Sequence, residues 1–138
     1  MNVTLSLVKN RTISVSDENG INTIFDATKD HDGDGNGSSP MAVMLEAMAA
    51  CTFLDVVSML YKKRKTINEF KIFVSAERAT EHPKVFTSVN LKYQLTSPDI
   101  TKNDLDKSIE LSQTKYCSAS AMFSRSGCKI NWESEIIS

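Results

Sequence analysis

The sequence has no excess of charge of either sign: 16 lysines and arginines stand against 17 aspartates and glutamates, for a formal net charge of −1 at pH 7. Nucleic acid is therefore not an expected partner, because neutralising phosphates needs a concentrated basic face. Histidine is scarce. His31 and His82 are the only two, and no Cys or His falls at zinc-ligand spacing, which argues against a zinc site. Met1-Asn2-Val3-Thr4-Leu5-Ser6 lacks the basic segment and apolar core of a secretory signal. No uninterrupted apolar run reaches the roughly 20 residues a bilayer needs, so no membrane partner is expected. Three cysteines are an odd number for a disulfide scaffold, and without an export signal the expectation is a cytoplasmic protein with reduced thiols. Any cysteine pair is then redox-active rather than structural.

What is there reads as one ordinary globular domain over residues 1–138. Hydrophobic residues make up 41% and charged residues 24%. A monomer of this size buries roughly two-thirds of its unfolded surface, enough for a core without metal or disulfide. Val3, Leu5 and Leu7 alternate with polar residues, the period of a half-buried strand, and Thr12 to Val15 continues in kind. Asn19-Gly20 is the step that tight hairpins prefer, with both central residues at positive φ, and Ile21 to Phe25 returns. Residues 27–39 form a polar loop rich in Gly, Asp and Ser. Ser38-Ser39-Pro40 starts a helix with a serine cap and a first-turn proline. From Met41 to Tyr61 this helix is apolar on nearly every face, which suggests burial on most sides, between a sheet and a second subunit. The cluster Lys62-Lys63-Arg64-Lys65 places cations at its C-terminal end. Strands are expected over Phe70–Ala76 and Thr87–Leu95, the latter with Val89, Leu91, Tyr93 and Leu95 on one face. Thr101 and Asp104 resemble a capping box. The helix they open runs to about Lys115, with Leu105, Ile109 and Leu111 as its apolar residues. A short helical segment, Ser118–Ser124, and a last strand with Cys128, Ile130, Trp132 and Ile136 inward complete an α+β order.

Each cysteine has a bland reading beside a reactive one. Cys51 sits in the apolar helix, where free cysteine commonly behaves as a small buried hydrophobe. Asp55, four residues on, would raise rather than lower a nearby thiol pKa. Cys117 lies where one helix ends and another begins. The amides of Ser118 and Ala119 could point at its sulfur there; otherwise it simply caps the core. Cys128 alternates with Ile130 and Trp132 and reads as core.

Ser38-Ser39-Pro40-Met41, then Ala49-Ala50-Cys51-Thr52 and Asp55-Val56-Val57-Ser58-Met59-Leu60, then Lys63-Arg64, resemble the first cysteine helix of the OsmC/Ohr (organic hydroperoxide resistance) family. Glu77 to Thr87 resembles the connection typical of an OsmC-like branch. Ile109-Glu110-Leu111-Ser112 with Lys115-Tyr116-Cys117-Ser118 is similar to the second cysteine motif. The resemblance implies an intertwined homodimer with the long helices at its centre. It also implies a cysteine-based peroxidase without a bound cofactor, in which Cys51 reduces an organic hydroperoxide, Cys117 closes a disulfide, and an external thiol reopens it. The family's peroxidases carry a glutamate just after the first motif's proline, working with an arginine from the N-terminal strands. Met41 and Ala42 stand there instead, Glu46 points to another side of the helix, and Arg11 lies in about the right strand region. An OsmC-like dimer that binds a hydrophobic or electrophilic small molecule is the alternative, and a purely structural dimer with buried thiols is a third reading.

Asp30-His31-Asp32-Gly33-Asp34-Gly35 matches the first half of a calcium-binding EF-hand loop, but position 12 falls on Met41 where a bidentate glutamate belongs. A solvated, turn-rich loop is expected.

Overall fold

The computed structural model describes residues 1–137. It is a mixed α+β structure with two three-stranded sheets and three α-helices, and its chain divides into two compact units, Met1–Glu46 and a second beginning at Ala47.

The first unit holds β1 (Val3–Lys9), β2 (Thr12–Asp17) and β3 (Asn22–Phe25), paired antiparallel in that order. Asn10, at φ 49°, turns β1 into β2. The β2–β3 turn differs from the expected two-residue form. Asp17 N–H bonds the Ile21 carbonyl at 3.0 Å, leaving three loop residues, of which only Gly20 has positive φ, at 79°. The Asp17 carboxylate accepts from the amides of Asn19 and Ile21 and so selects the longer loop. The half-buried face expected of β1 is also absent: Val3, Leu5 and Leu7 are 63%, 60% and 73% exposed.

The polar loop is pinned from beneath. Asp26 is buried and accepts from the Thr12 hydroxyl at 2.8 Å and the Asn36 amide at 3.0 Å. Burial works against its charge, but these donors, with the amides of Ala27 and Asp34, hold its carboxyl below the usual range. Gly33 packs so closely on the Ala27 carbonyl that a Cβ would overlap it. Asp30, Asp32 and Asp34 do not converge. Thr28 and His31 hold Asp30, while Asn10 donates to the Asp32 carbonyl and, at 3.4 Å, to Asp34.

Helix α1 spans Pro40–Lys62, with Ser39 accepting from Ala42 N–H as its cap. At 23 residues, and with mean hydropathy 1.8 over its most apolar stretch, it is long and apolar enough by composition to cross a bilayer. That corrects the count of uninterrupted runs, which Glu46, Thr52, Asp55 and Ser58 break up. Within the single chain, only one face of the expected burial is made. Met48, Thr52, Val56 and Leu60, one residue per turn, are its buried stripe, while Met44, Leu54 and Tyr61 remain 49%, 65% and 60% exposed. Arg64, at φ 56°, ends the run, and Lys65 N–H satisfies the Leu60 carbonyl.

In the second unit β5 (Phe86–Thr96) is central, antiparallel to β4 (Glu69–Arg78) and parallel to β6 (Lys129–Ile137). Val89, Leu91, Tyr93 and Leu95 are fully buried on its inner face, as their alternation requires. A parallel neighbour needs a long crossover, here α2 (Lys102–Leu111), a π-helical turn (Ser112–Tyr116) and α3 (Ser118–Arg125). Both halves of the Thr101–Asp104 capping box are made, and Lys63 and Lys65 approach the same carboxylate at 3.6 and 3.8 Å. Leu111 is not core but 45% exposed. The buried stripe runs Leu105, Ser108, Ile109, Ser112, and Leu111 falls off it.

Candidate functional site

Two helical features bring Cys51 and Cys117 together. Cys51 lies next to Thr52 on α1, at the edge of the buried stripe, and is partly exposed. Cys117 follows the π-helical turn, its N–H donating to the Ser112 carbonyl at 2.7 Å, and it caps α3. Single π turns of this kind recur at functional positions because they re-aim the residue that follows. The Cys117 sulfur lies 4.0 Å from the carbonyl of Met48, three residues before Cys51 on the same helix, so the two thiols are neighbours, and both are free.

Cys117 is 3% exposed, which encloses its sulfur. It accepts from the Ser120 amide at 3.3 Å, one turn into α3; the amides of Ser118 and Ala119, expected from sequence to face it, are not its partners. The Ser120 hydroxyl is buried and makes no hydrogen bond, but it belongs to the residue whose amide holds this sulfur, near enough to favour the thiolate. Burial pushes the Cys117 thiol up; the Ser120 hydroxyl and amide pull it down, and the neighbouring Cys51 raises it again. The net direction is up. Cys128 is 5% exposed, its thiol also pushed up by burial, and it takes no part in this pair.

A buried polar relay underlies the pair. Ser112 donates to Asp55 at 2.9 Å. A hydroxyl has one hydrogen, so Thr52 must donate to Ser112 (2.8 Å), and Tyr93 to Thr52 (2.7 Å). The Gln113 amide donates to both Thr52 and Tyr93, at 3.2 and 3.0 Å, which fills every acceptor at the junction. Burial raises the Tyr93 pKa against the pull of Thr52 and Gln113, with the charges of Cys117 and Asp55 adding to the rise, so the phenol stays a donor. Asp55, which by sequence looked like a liability for Cys51, thus terminates a relay that anchors the turn carrying Cys117. Sequence reasoning missed Thr52, Tyr93, Ser112 and Gln113. The available signal was a tyrosine on an inward strand face, whose hydroxyl demands a buried partner.

Arg11 donates to the Asp32 carbonyl at 3.1 Å and to Asn10. Met41 and Ala42 occupy the first turn of α1, and Glu46 is exposed. Among the described residues no three His, Cys, Asp or Glu side chains gather as a metal site would require.

A family model described as OsmC-like protein matches residues 33–133. Protein YhfA of Escherichia coli K12 is 34% identical over 96 residues, covering 67% of this chain and 72% of its own length. Among solved structures, an OsmC-like protein from Mycoplasma pneumoniae superposes with a TM-score of 0.82 at 22% identity, over 99% of this chain and 96% of that one. An organic hydroperoxide resistance protein from Legionella pneumophila has a TM-score of 0.69 at 12% identity, over 97% and 95%. At these identities the two structures speak for the fold.

Proposed function

The chain belongs to the OsmC-like family, and from that premise we propose that it is a cytoplasmic thiol peroxidase that reduces organic hydroperoxides through Cys51 and Cys117. The observation that carries the reading is the meeting of these two thiols across two helices, with Cys51 the more open. The Cys51 thiolate attacks a peroxide oxygen, the O–O bond breaks, and the alcohol leaves with a proton while Cys51 becomes a sulfenic acid. Cys117 then displaces water from that sulfur, forming a disulfide that an external thiol reduces. No bound cofactor enters the cycle.

The family contains organic hydroperoxide resistance proteins, which supports the substrate class. A second copy of the chain is the proposed partner. The uncovered α1 face bearing Leu54 and Tyr61 is too apolar to leave in water, and a symmetric mate supplies a matching surface. The absence of a glutamate at Met41 and Ala42 favours one competing reading, a dimer that binds a hydrophobic or electrophilic molecule without turnover.

The test is a thiol count with peptide mapping before and after an equimolar dose of cumene hydroperoxide. Conversion of Cys51 and Cys117 to a bridge, with Cys128 untouched, is the expected result. Thiols unchanged in folded protein would leave the binding reading in its place.

A further inference from the structure

Resting on that reading, we propose that Ser120 is a positioning residue for the reductive half of the cycle: it receives Cys117 as the leaving thiolate, so the external thiol attacks Cys51. Opening a disulfide requires an accessible sulfur on one side and a stabilised leaving sulfur on the other. Both requirements point the same way.

Cys117 is enclosed. It is 3% exposed, and its sulfur is bracketed by the Ser120 amide at 3.3 Å and the Met48 carbonyl at 4.0 Å. Cys51 is the more open partner. The leaving-group side is equally asymmetric. Cys51 lies in mid-helix, where each backbone N–H is already spent on the carbonyl one turn back, and among the described residues no N–H is recorded donating to its sulfur. Cys117 stands at the start of α3 with a free first-turn amide directed at it.

The Ser120 hydroxyl is the second, independent observation. It is buried, its residue is 1% exposed, and it has no hydrogen-bond partner among the described residues. An orphaned buried hydroxyl is costly, and it needs an acceptor that arises during the cycle. A thiolate on Cys117 is such an acceptor, beside it.

The electron balance is simple. A thiolate RS⁻ bonds to the Cys51 sulfur; the Cys51–Cys117 bond breaks and its electron pair leaves on Cys117, which Ser120 N–H and O–H receive. A second thiolate then attacks the outer sulfur of the Cys51 adduct, releasing RS–SR and a Cys51 thiolate. Two thiols are oxidised, one disulfide is reduced, and the two thiol protons end on the cysteines.

The test separates this step from the peroxidase reading by making the bridge with diamide rather than a peroxide. Bridged wild-type protein is treated briefly with glutathione, quenched with N-ethylmaleimide and mapped by mass spectrometry. The expected product carries glutathione on Cys51 and maleimide on Cys117. Glutathione on Cys117, or on both equally, overturns the proposal and leaves the peroxidase reading standing. Failure of diamide to form any Cys51–Cys117 bridge in folded protein sinks both. The Ser120→Ala variant should be reduced severalfold more slowly. In a Cys51→Ser, Cys128→Ser background, removing the Ser120 hydroxyl should move the ultraviolet thiolate titration of Cys117 to higher pH. A purely structural Ser120 would lower the thermal midpoint and leave both the attack site and that titration unmoved.

Discussion

Thr52 on α1 and Tyr93 on β5 share a 2.7 Å hydrogen bond between two fully buried hydroxyls, 41 residues apart in sequence. Thr52 is the junction, joined also to Ser112 and Gln113, whereas Tyr93 is the relay's first donor. Tyr93→Phe is therefore expected to cost about 1–2 kcal/mol, and Thr52→Val, which strands several partners, about 2–4 kcal/mol. Urea unfolding of the two variants and their double mutant checks the order. A smaller loss for Thr52→Val than for Tyr93→Phe would contradict the relay as described.

Stability should fall at both ends of the pH scale, for different reasons. Asp104 is held below the usual carboxylate range first by the Thr101 amide and hydroxyl, then by Lys65 and Lys63. A depressed carboxyl stabilises the fold above its unfolded pKa, and that contribution is lost as pH drops through the folded value, below about pH 4. Asp104→Asn should flatten the acid limb of a plot of denaturation midpoint against pH. On the alkaline side Tyr93, Cys117 and Cys128 are raised by burial. Their contribution is complete below their unfolded values and should fade from about pH 9 upward.

The three thiols should label in a fixed order. Cys51 is partly exposed, while Cys117 and Cys128 are 3% and 5% exposed and pushed up by burial. Brief iodoacetamide treatment at neutral pH, followed by peptide mapping, should find Cys51 modified first and Cys128 still largely free. Equal labelling of all three would remove the distinction between site and core cysteine.

Gly33→Ala should destabilise the first unit, since the added methyl overlaps the Ala27 carbonyl and backbone must move. Overpacking of this kind costs about 1–3 kcal/mol. Limited proteolysis should cut residues 27–37 faster in the variant, whereas Gly20→Ala, which meets no neighbour, should suffer only from its φ of 79°.

The parts of the structure governed by local rules were legible in the sequence. Ser39-Pro40 marked the start of α1, the Thr101–Asp104 pair marked α2, and the alternation through Val89 and Leu95 marked the buried face of β5. The parallel pairing of β5 with β6 was not legible, because alternation gives a strand's faces but not its partner or direction. Exposure of Leu111 was misjudged because its apolar side chain was counted as core although it lies off the helical stripe of Leu105, Ser108, Ile109 and Ser112. Cys51 and Cys117 came from motif resemblance. Their chemical setting, the Ser120 donors and the Asp55 relay, depends on contacts between residues distant in the chain, which no periodicity encodes.

The crossover between β5 and β6 also sets a timetable. The β4–β5 hairpin joins near neighbours in sequence and closes at small entropic cost, while the pairing of Leu91 with Trp132 must wait for an entire helical excursion to collapse. Cys117 rides inside that excursion. During synthesis and refolding the two thiols are thus brought together late, after much of the sheet. Until then each is an ordinary, unsupervised cysteine, open to stray oxidants, so oxidative damage should fall hardest on young chains rather than on the finished protein.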